Sequence, residues 1–298
     1  MERISVTMAC DLNYAQHTIV VAKSILEHTS SPVDFYILGD KLPQELKQSM
    51  ADAIESSISH VVFYDMDKFL SDDMYTSDHI SKAAYFRLAI GNIIPPTVKK
   101  IIYLDVDLVV CKDISILWSV DLKGKVIGAV PDYGILSSRK SLKEKEKSFG
   151  WKPSQGYFNS GVLVIDLNKW RKGDYGNLVL TAAKEKSFRH HDQDALNAVL
   201  GNSWEALDIS WNVIPPVYMM KFSILFSKEL RKNALRAVKD IAILHWAGRR
   251  KPWQYKPYKP FNGIYYKYEM NRDNGKPEYP CRKKIAFKFR SFLLHIMC

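Results

Sequence analysis

The sequence predicts an α/β fold with a mixed, mostly parallel central sheet. Short apolar runs of strand length alternate with helical periodicity through the first hundred residues. Strands that alternate with helices form parallel sheets covered on both faces. The chain has 298 residues, of which 47% are hydrophobic. This length and composition are sufficient for a large core and exclude a disordered or fibrous chain.

The individual elements follow from hydrophobic periodicity along the chain. Strands are predicted at residues 4–9, 33–38, 61–64, 101–104, 126–130, 162–165 and 241–246. Helices are predicted at residues 14–28, 43–57, 81–90 and 192–200. Residues 140–147 form a charged stretch that is expected to be exposed. Because ligands of open α/β sheets bind at the carboxyl ends of the strands, functional residues are expected directly after each strand.

The distribution of charge excludes some functions. The net charge is +11, but residues 1–244 are almost neutral, whereas residues 245–298 carry 13 basic and 3 acidic residues. A nucleic-acid-binding protein would more often carry basic residues across its fold, so no nucleic-acid partner is predicted. The basic segment instead suggests an anionic partner near the C-terminus, either a diphosphate or a membrane surface.

The sequence also bears on the location of the chain. Its first residues predict a strand and not a signal peptide. The sequence contains no apolar run of about 18 residues, so no transmembrane helix is predicted. The four cysteines form no C-x-x-C pair, so neither a disulfide framework nor a zinc site is predicted. We therefore expect a cytoplasmic protein, either free or peripheral at the inner face of the membrane.

A pair of carboxylates follows the apolar run 101–104. Asp105 and Asp107 point to the same side of an extended chain, and two carboxylates in that arrangement form half of a site for a divalent cation that holds a diphosphate. The chain contains two further Asp-x-Asp sequences, at residues 65–67 and 192–194. Spacing alone therefore leaves the choice among the three pairs open.

The last predicted strand is followed by a second candidate segment. His245 precedes Gly248 and three consecutive basic residues that end at Lys251. A glycine followed by basic residues suits a loop whose backbone approaches a phosphate. A histidine beside two aspartates would favour Mn²⁺ over Mg²⁺. The alternative is a packed core histidine.

Three further segments carry polar residues that could bind a sugar or a nucleoside. Asn159 lies either in a turn that enters a strand or in a site that recognises hydroxyl groups. Asp192 either caps a helix or binds sugar hydroxyls. Asp11 and Asn13 either cap the first helix or contact a base or ribose on which Tyr14 stacks.

Taken together, these five segments resemble glycosyltransferase family 8. These are retaining enzymes with the GT-A nucleotide-sugar fold, which is Rossmann-like, and they include lipopolysaccharide α-galactosyltransferases, α-glucosyltransferases and glycogenin. The matching motifs are ACDLNY (9–14), YLDVD (103–107), FNSGV (158–162), DQDALN (192–197) and HWAGRRKPW (245–253). Their order and spacing are similar to those of the family, and the resemblance favours the Asp105/Asp107 pair.

The resemblance implies a role for each candidate residue. The implied metal ligands, for Mn²⁺ with Mg²⁺ as the second candidate, are Asp105, Asp107 and His245. The implied residues for the UDP-sugar donor are Asp11, Asn13 and Tyr14 at uridine, Gly248 and Lys251 at the diphosphate, Asn159 at the sugar, and Arg87, which would orient the donor. The implied catalytic residues are Gln193, Asp192 and Asp132.

The resemblance also implies the reaction. A hexose, either galactose or glucose, would pass from a UDP-hexose to a hydroxyl acceptor on a cell-surface glycan or a lipopolysaccharide-type glycolipid, with retention of configuration. The first alternative is a glycogenin-like polymer starter that uses UDP-glucose. The alternative from another class is a basic nucleic-acid-binding or glycan-binding protein without catalytic activity.

Residues 1–253 are predicted to form the catalytic domain, and residues 254–298 a basic aromatic extension. On a helix, Ile285, Phe289, Phe292 and Ile296 form one stripe with Leu293 at its edge, although Phe287 and Leu294 fall on the opposite face. Five basic residues and no acidic one accompany this stripe in 282–298. This pattern predicts either contact with an anionic membrane surface or a helix that packs on the core. Residues 76–81 match a lid in the family, although their own sequence indicates no function.

Overall fold

The computed structural model describes residues 2–67, 69, 83–185, 188–219, 228–254 and 261–269. The strands are β1 (Ile4–Asp11), β2 (Val33–Asp40), β3 (Ser59–Asp65), β4 (Lys100–Leu104), β5 (Leu108–Val110), β6 (Ile127–Pro131), β7 (Phe158–Asp166), β8 (Trp204–Ala206) and β9 (Ile243–His245). Seven of them form a central sheet in the order β3-β2-β1-β4-β7-β6-β8, and β5 pairs with β9. Within the central sheet β7 is antiparallel to both neighbours, and the other pairs are parallel. The predicted mixed, mostly parallel α/β sheet is confirmed.

The helices connect these strands and cover the sheet. They are α1 (Ala15–His28), α2 (Gln44–Ile54), α3 (Ala83–Phe86), α4 (Ile90–Ile93), α5 (Ile114–Trp118), α6 (Tyr133–Leu136), α7 (Arg139–Phe149), α8 (Leu167–Lys172), α9 (Tyr175–Glu185), α10 (His191–Leu200), α11 (Pro215–Tyr218), α12 (Lys228–Lys239) and α13 (Asn262–Tyr266). Short 3₁₀ turns lie at Arg87–Ala89, Pro153–Gln155, Ile209–Asn212 and Pro252–Gln254. In the part of the chain that the structure describes, none of the helices has the length and apolar character needed to cross a membrane.

The central strand β4 explains how the sheet has a core on each face. Successive side chains of a strand point to opposite faces. Ile102 and Leu104 accordingly pack in one apolar cluster with α1, and Ile101 and Tyr103 pack in the other. Because all of these residues are apolar or aromatic, both faces of β4 are buried, as expected for a strand covered by helices on both sides.

Several predicted elements differ from the observed ones. β7 begins four residues before the predicted strand, so Asn159 lies within a strand and not in a turn. The helix predicted at 81–90 is divided into α3, a 3₁₀ turn and α4. The expectation that residues 140–147 are exposed is wrong for Lys145, which is fully buried.

The end of the described chain packs on the rest of the fold. Tyr265 and Tyr266 are buried in an apolar cluster that also contains Trp246, and the hydroxyl of Tyr266 donates to the carbonyl oxygen of Pro252 at 2.7 Å. Residues 261–269 are thereby connected to the loop that follows β9. The predicted lid at 76–81 and the predicted amphipathic segment 282–298 lie outside the described residues.

Candidate active site

The strand order brings the candidate metal ligands together. Asp105 follows β4 directly, and Asp107 precedes β5. His245 pairs with Leu108 across the β5–β9 ladder, so its side chain lies beside Asp107. One ligand atom from each of Asp105, Asp107 and His245 lies within 4.8 Å of the others. The Nε2 atom of His245 is 3.0 Å from Asp107 Oδ1 and 3.8 Å from Asp105 Oδ2.

Asp105 presents one carboxylate oxygen to this cluster. Its Oδ1 atom accepts hydrogen bonds of 2.9 Å from the hydroxyl of Tyr103 and from the guanidinium of Arg87. Its Oδ2 atom therefore remains on the side of His245. A Cβ atom at Gly161 would lie 2.7 Å from this Oδ2 and would overlap the His245 ring, so the glycine keeps the space between the two side chains open.

Asp107 is almost fully buried and lies between two basic side chains. Burial alone would raise the pKa of its carboxyl, but the charges of Lys251 and His245 hold that pKa well below its usual range. The ammonium of Lys251 contacts Asp107 Oδ2 directly. Asp107 is thus ionised, as a metal ligand must be.

The donor set fits a divalent cation of the Mn²⁺ or Mg²⁺ type. Two carboxylates and an imidazole supply hard and borderline ligands. Carboxylates alone suit Mg²⁺, whereas the imidazole shifts the preference toward Mn²⁺. Asp105, Asp107 and His245 would hold the cation, and the absence of a Cβ at Gly161 lets the side chains of Asp105 and His245 lie this close to the backbone of β7.

These ligands lie in a cavity of about 550 Å³. All but one of the predicted site residues line it. The predicted residues that line it are Asp11, Tyr14, Arg87, Asp105, Asp107, Asp132, Asn159, Asp192, Gln193, His245, Gly248 and Lys251. Asn13 does not line it, and its side chain is exposed. Its role in nucleotide binding stays a prediction.

One end of the cavity begins at the carboxyl end of β1. The Oδ1 atom of Asp11 accepts hydrogen bonds from the backbone amides of Asn13 (2.9 Å) and Tyr14 (3.2 Å), so this carboxylate also orders the turn into α1. The ring of Tyr14 packs edge-on against Trp253, which stacks on His17. Tyr14 is thereby fixed between the first helix and the loop that follows β9.

Gly248 lies in that loop with a φ of 93°, in the left-handed region that favours glycine. A Cβ atom there would meet nothing within 4 Å, so the backbone conformation and not space requires the glycine. Lys251, three residues on, directs its ammonium toward Asp107 and the carbonyl oxygen of Trp246. The loop therefore presents backbone and positive charge to the same end of the cavity.

The other end of the cavity contains a buried arginine between two acids. Arg87 lies 2.9 Å from Asp105 Oδ1 and 3.2 Å from Asp192 Oδ2, and it donates to the carbonyl oxygen of Ser160 at 2.6 Å. Burial raises the pKa of Asp192 to about 6, although the charge of Arg87 opposes this shift. Arg87 thus connects Asp105, one of the three candidate metal ligands, to the carboxylate of Asp192 at the start of α10.

Gln193 is held by four hydrogen bonds. Its Nε2 atom donates to Asp132 Oδ2 (3.1 Å) and to the hydroxyl of Tyr157 (3.2 Å). Its Oε1 atom accepts from the backbone amide of Ser160 and from Asn159 Nδ2, both at 3.1 Å. Both N–H groups and both lone pairs of the amide are therefore used by the protein.

Three residues behind the cavity wall were not predicted from the sequence. Asn212 donates to Asn159 and contacts His245, Tyr157 contacts Gln193, and Gly161 leaves the space that Asp105 and His245 occupy. Gly161 and Tyr157 lie within or beside the FNSGV motif, whose local pattern could have directed attention to them. Asn212 follows Trp211 in a 3₁₀ turn, and no local pattern distinguishes it.

The chain is similar to several known proteins. A family model described as glycosyl transferase family 8 matches residues 5–256. General stress protein A of Bacillus subtilis is 30% identical over 274 residues, which are 90% of this chain and 93% of the relative. Lipopolysaccharide 1,2-glucosyltransferase of Escherichia coli is 26% identical over 301 residues, which are 99% and 86% of the two chains.

A solved structure has the same fold. The galactosyltransferase LgtC, crystallised with donor and acceptor sugar analogs, superposes with a TM-score of 0.78 at 23% identity, over 95% of this chain and 100% of LgtC. The GT-A fold that the motifs implied is thereby confirmed. Since the family model spans most of the sequence, from β1 to the loop after β9, the chain belongs to glycosyl transferase family 8.

Proposed function

We propose that this protein transfers a hexose, galactose or glucose, from a UDP-sugar to a hydroxyl group of a glycan or a lipopolysaccharide-type glycolipid. The reaction would depend on Mn²⁺ and would retain the anomeric configuration. The single observation that carries the proposal is the Asp105–Asp107–His245 cluster inside a cavity of about 550 Å³. The name of the Escherichia coli relative supports a hexose and a lipopolysaccharide acceptor.

The arrangement of charge supports a diphosphate leaving group. A divalent cation bound by the cluster would stabilise the negative charge that develops on UDP as it departs. Lys251 and the Gly248 loop lie on the same side of the cavity and would bind the diphosphate oxygens. Because such charges are fixed before the reaction begins, they favour the transition state over the ground state.

The opposite end of the cavity suits the transferred sugar. Asp192 and Asp132 offer carboxylate oxygens, and Arg87 holds Asp192 in place. Carboxylates are strong acceptors for the hydroxyl groups of a hexose. We assign donor orientation to Arg87 and sugar contact to Asp192, Asp132 and Asn159.

The geometry of Gln193 bears on how configuration is retained. An amide is neutral and a weak nucleophile, and both lone pairs of this amide oxygen are already engaged by Ser160 and Asn159. We therefore favour a front-face path, in which the departing diphosphate oxygen accepts the proton of the acceptor hydroxyl. A double displacement on Gln193 would first have to break at least one of these hydrogen bonds.

A donor panel tests the proposal. The protein is incubated with UDP-galactose, UDP-glucose, UDP-galacturonic acid and UDP-N-acetylglucosamine in Mn²⁺, and released UDP is measured without an acceptor. Release from UDP-galactose or UDP-glucose is expected, and the product anomer read at early times by proton NMR is expected to be α. No release from any of the four donors, or release of a β product, would overturn the proposal.

A further inference from the structure

A buried lysine lies on a helix that is otherwise charged and largely exposed. Lys145 of α7 has no exposed surface, whereas Lys143 and Lys147 on the same helix are exposed. Its ammonium lies 2.7 Å from Asp194 Oδ2, 2.7 Å from His190 Nδ1 and 3.2 Å from both carboxylate oxygens of Glu144. Burial of an ammonium is costly unless it is paired, so the pairing with Asp194 accounts for its position.

Asp194 uses both of its oxygens in this cluster. Oδ2 accepts from Lys145 and from the backbone amide of His190 at 2.9 Å, and Oδ1 accepts from the hydroxyl of Tyr157 at 2.5 Å. The carboxylate is fully buried and lies behind the wall of the cavity. It is therefore saturated by protein donors and is not aimed at a ligand.

The ionised state of Asp194 fixes the direction of the hydrogen bond between Asp194 and the Tyr157 hydroxyl. An ionised carboxylate only accepts, so the proton of the Tyr157 hydroxyl is directed to Asp194. The lone pairs of the same hydroxyl then accept from Gln193 Nε2 at 3.2 Å. A flipped Gln193 amide would turn its oxygen toward the lone pairs of Tyr157 and toward the carboxylate of Asp132, which are both acceptors in this arrangement.

We propose that Tyr157 is a positioning residue that fixes the orientation of the Gln193 amide at the sugar end of the cavity, and that Lys145 supports Tyr157 through Asp194. This inference rests on the proposed function for its kinetic consequence, but its structural consequence is independent of that function. Among the described residues, neither side chain lines the cavity, so an effect of Tyr157→Phe on turnover would be transmitted through Gln193. A substitution of Lys145 would also alter its contact with His190, which lines the cavity, so Tyr157→Phe is the more specific test.

Tyr157→Phe is the principal test, because it removes one hydroxyl and little volume. In the wild-type background we expect the kcat of UDP release to fall about tenfold with little change in the KM for the donor, since a misplaced group affects the transition state. In a Gln193→Ala background the same substitution should change kcat less than twofold. Tyr64→Phe, on the far edge of the sheet, is the control.

Lys145→Met tests the other end of the chain of contacts, with the exposed Lys147→Met as its matched control. Lys145→Met leaves Asp194 without its charge partner, so we expect a lower free energy of unfolding. We also expect Lys145→Met to lower kcat less in the Gln193→Ala background than in the wild type. If Lys145→Met does not fold, Tyr157→Phe alone tests the proposal, because it retains the ion pair between Lys145 and Asp194. Equal losses of kcat in the presence and absence of Gln193 would overturn the proposal, because they would assign Tyr157 a general structural role.

A readout without turnover separates this inference from the proposed function. In protein labelled with ¹⁵N-glutamine, the Gln193 side-chain amide is identified by its loss in Gln193→Ala. Because both of its N–H groups are hydrogen-bonded, we expect slow solvent exchange in the wild type and at least about tenfold faster exchange in Tyr157→Phe. Unchanged exchange in Tyr157→Phe would overturn the inference, whereas an inactive wild type would overturn only the proposed function.

Discussion

The Nδ1 atom of His245 lies 2.8 Å from the Oδ1 atom of Asn212. The orientation of the Asn212 amide is fixed, because its Nδ2 donates at 2.8 Å to Asn159 Oδ1, which also accepts from the backbone amide of Gly161. The oxygen of Asn212 therefore faces His245, and Nδ1 carries the proton of this contact. This leaves Nε2 directed toward the two aspartates, which is the orientation that a metal ligand requires.

Asn212→Leu removes this contact at nearly constant volume. We expect the affinity for Mn²⁺, measured by titration calorimetry without donor, to fall between about tenfold and a hundredfold, since loss of a group that orients a ligand typically has effects of that size. Asn177→Leu, on α9, is the control and should bind Mn²⁺ as the wild type does. A folded Asn212→Leu protein with unchanged affinity would show that the contact does not orient His245.

Gly161→Ala tests whether Asp105 and His245 need the space beside Gly161. The added methyl group would lie 2.7 Å from Asp105 Oδ2 and would overlap the ring of His245. We expect about 1–3 kcal/mol lower stability and loss of Mn²⁺ binding, because the two ligands must move apart. Gly263→Ala has open space around its Cβ and is the control. Mn²⁺ binding that survives in Gly161→Ala would contradict the predicted ligand geometry.

Asp194→Asn tests the buried ion pair by its pH dependence. Burial would raise the pKa of Asp194, but hydrogen bonds from His190, Lys145 and Tyr157 lower it from 3.8 to about 2. The ionised form therefore stabilises the fold at neutral pH by about 2 kcal/mol. This contribution is complete above pH 4 and is lost as the pH falls toward 2, because protonation then occurs in the folded state also.

Urea unfolding at pH 7, 5, 4 and 3 measures this effect. The wild type should exceed Asp194→Asn in free energy of unfolding by at least about 2 kcal/mol at pH 7, and the difference should narrow below pH 4. A difference that stays constant or widens toward pH 3 would mean that the carboxyl is not held ionised in the folded protein.

The basic segment 282–298 is the part of the chain that we expect to determine where the protein lies in the cell, and this expectation rests on the sequence alone. We propose that it attaches the protein to anionic lipid at the inner face of the membrane. Deletion of residues 281–298 should leave UDP release intact but should abolish sedimentation with phosphatidylglycerol vesicles, and full-length protein should dissociate as salt rises. Equal binding to neutral phosphatidylcholine vesicles, or loss of folding on truncation, would instead assign the segment a structural role.

Much of the site could be predicted from sequence because its residues follow strand ends. Asp105 and Asp107 come directly after β4, and His245 ends β9, so position along the chain already indicates the edge of the sheet on which they lie. The strand predicted at residues 241–246 is shorter in the structure, since only Ile243–His245 pair, and they pair with β5 and not with the main sheet.

The supporting residues could not be predicted in this way. Lys145 lies in a run of alternating lysine and glutamate, in which no local signal indicates which lysine turns inward. Its partner Asp194 is 49 residues away, and Asn212 is 33 residues from His245. Such contacts depend on the packing of α7 against α10 and of a 3₁₀ turn against β9, which only the folded chain defines.

We propose that Asp105, Asp107 and His245 bind a divalent cation and that transfer requires this cation. The most direct measurement is UDP release from the preferred donor by the wild type, Asp107→Asn and Asp65→Asn, each with Mn²⁺ and with EDTA. Asp65 belongs to another Asp-x-Asp pair and lies exposed at the end of β3, so Asp65→Asn should retain wild-type activity. Asp107→Asn should lose at least about a hundredfold, and EDTA should abolish release by all three proteins. Release that persists in EDTA, or in Asp107→Asn at the wild-type rate, would show that transfer does not require a cation bound at this site.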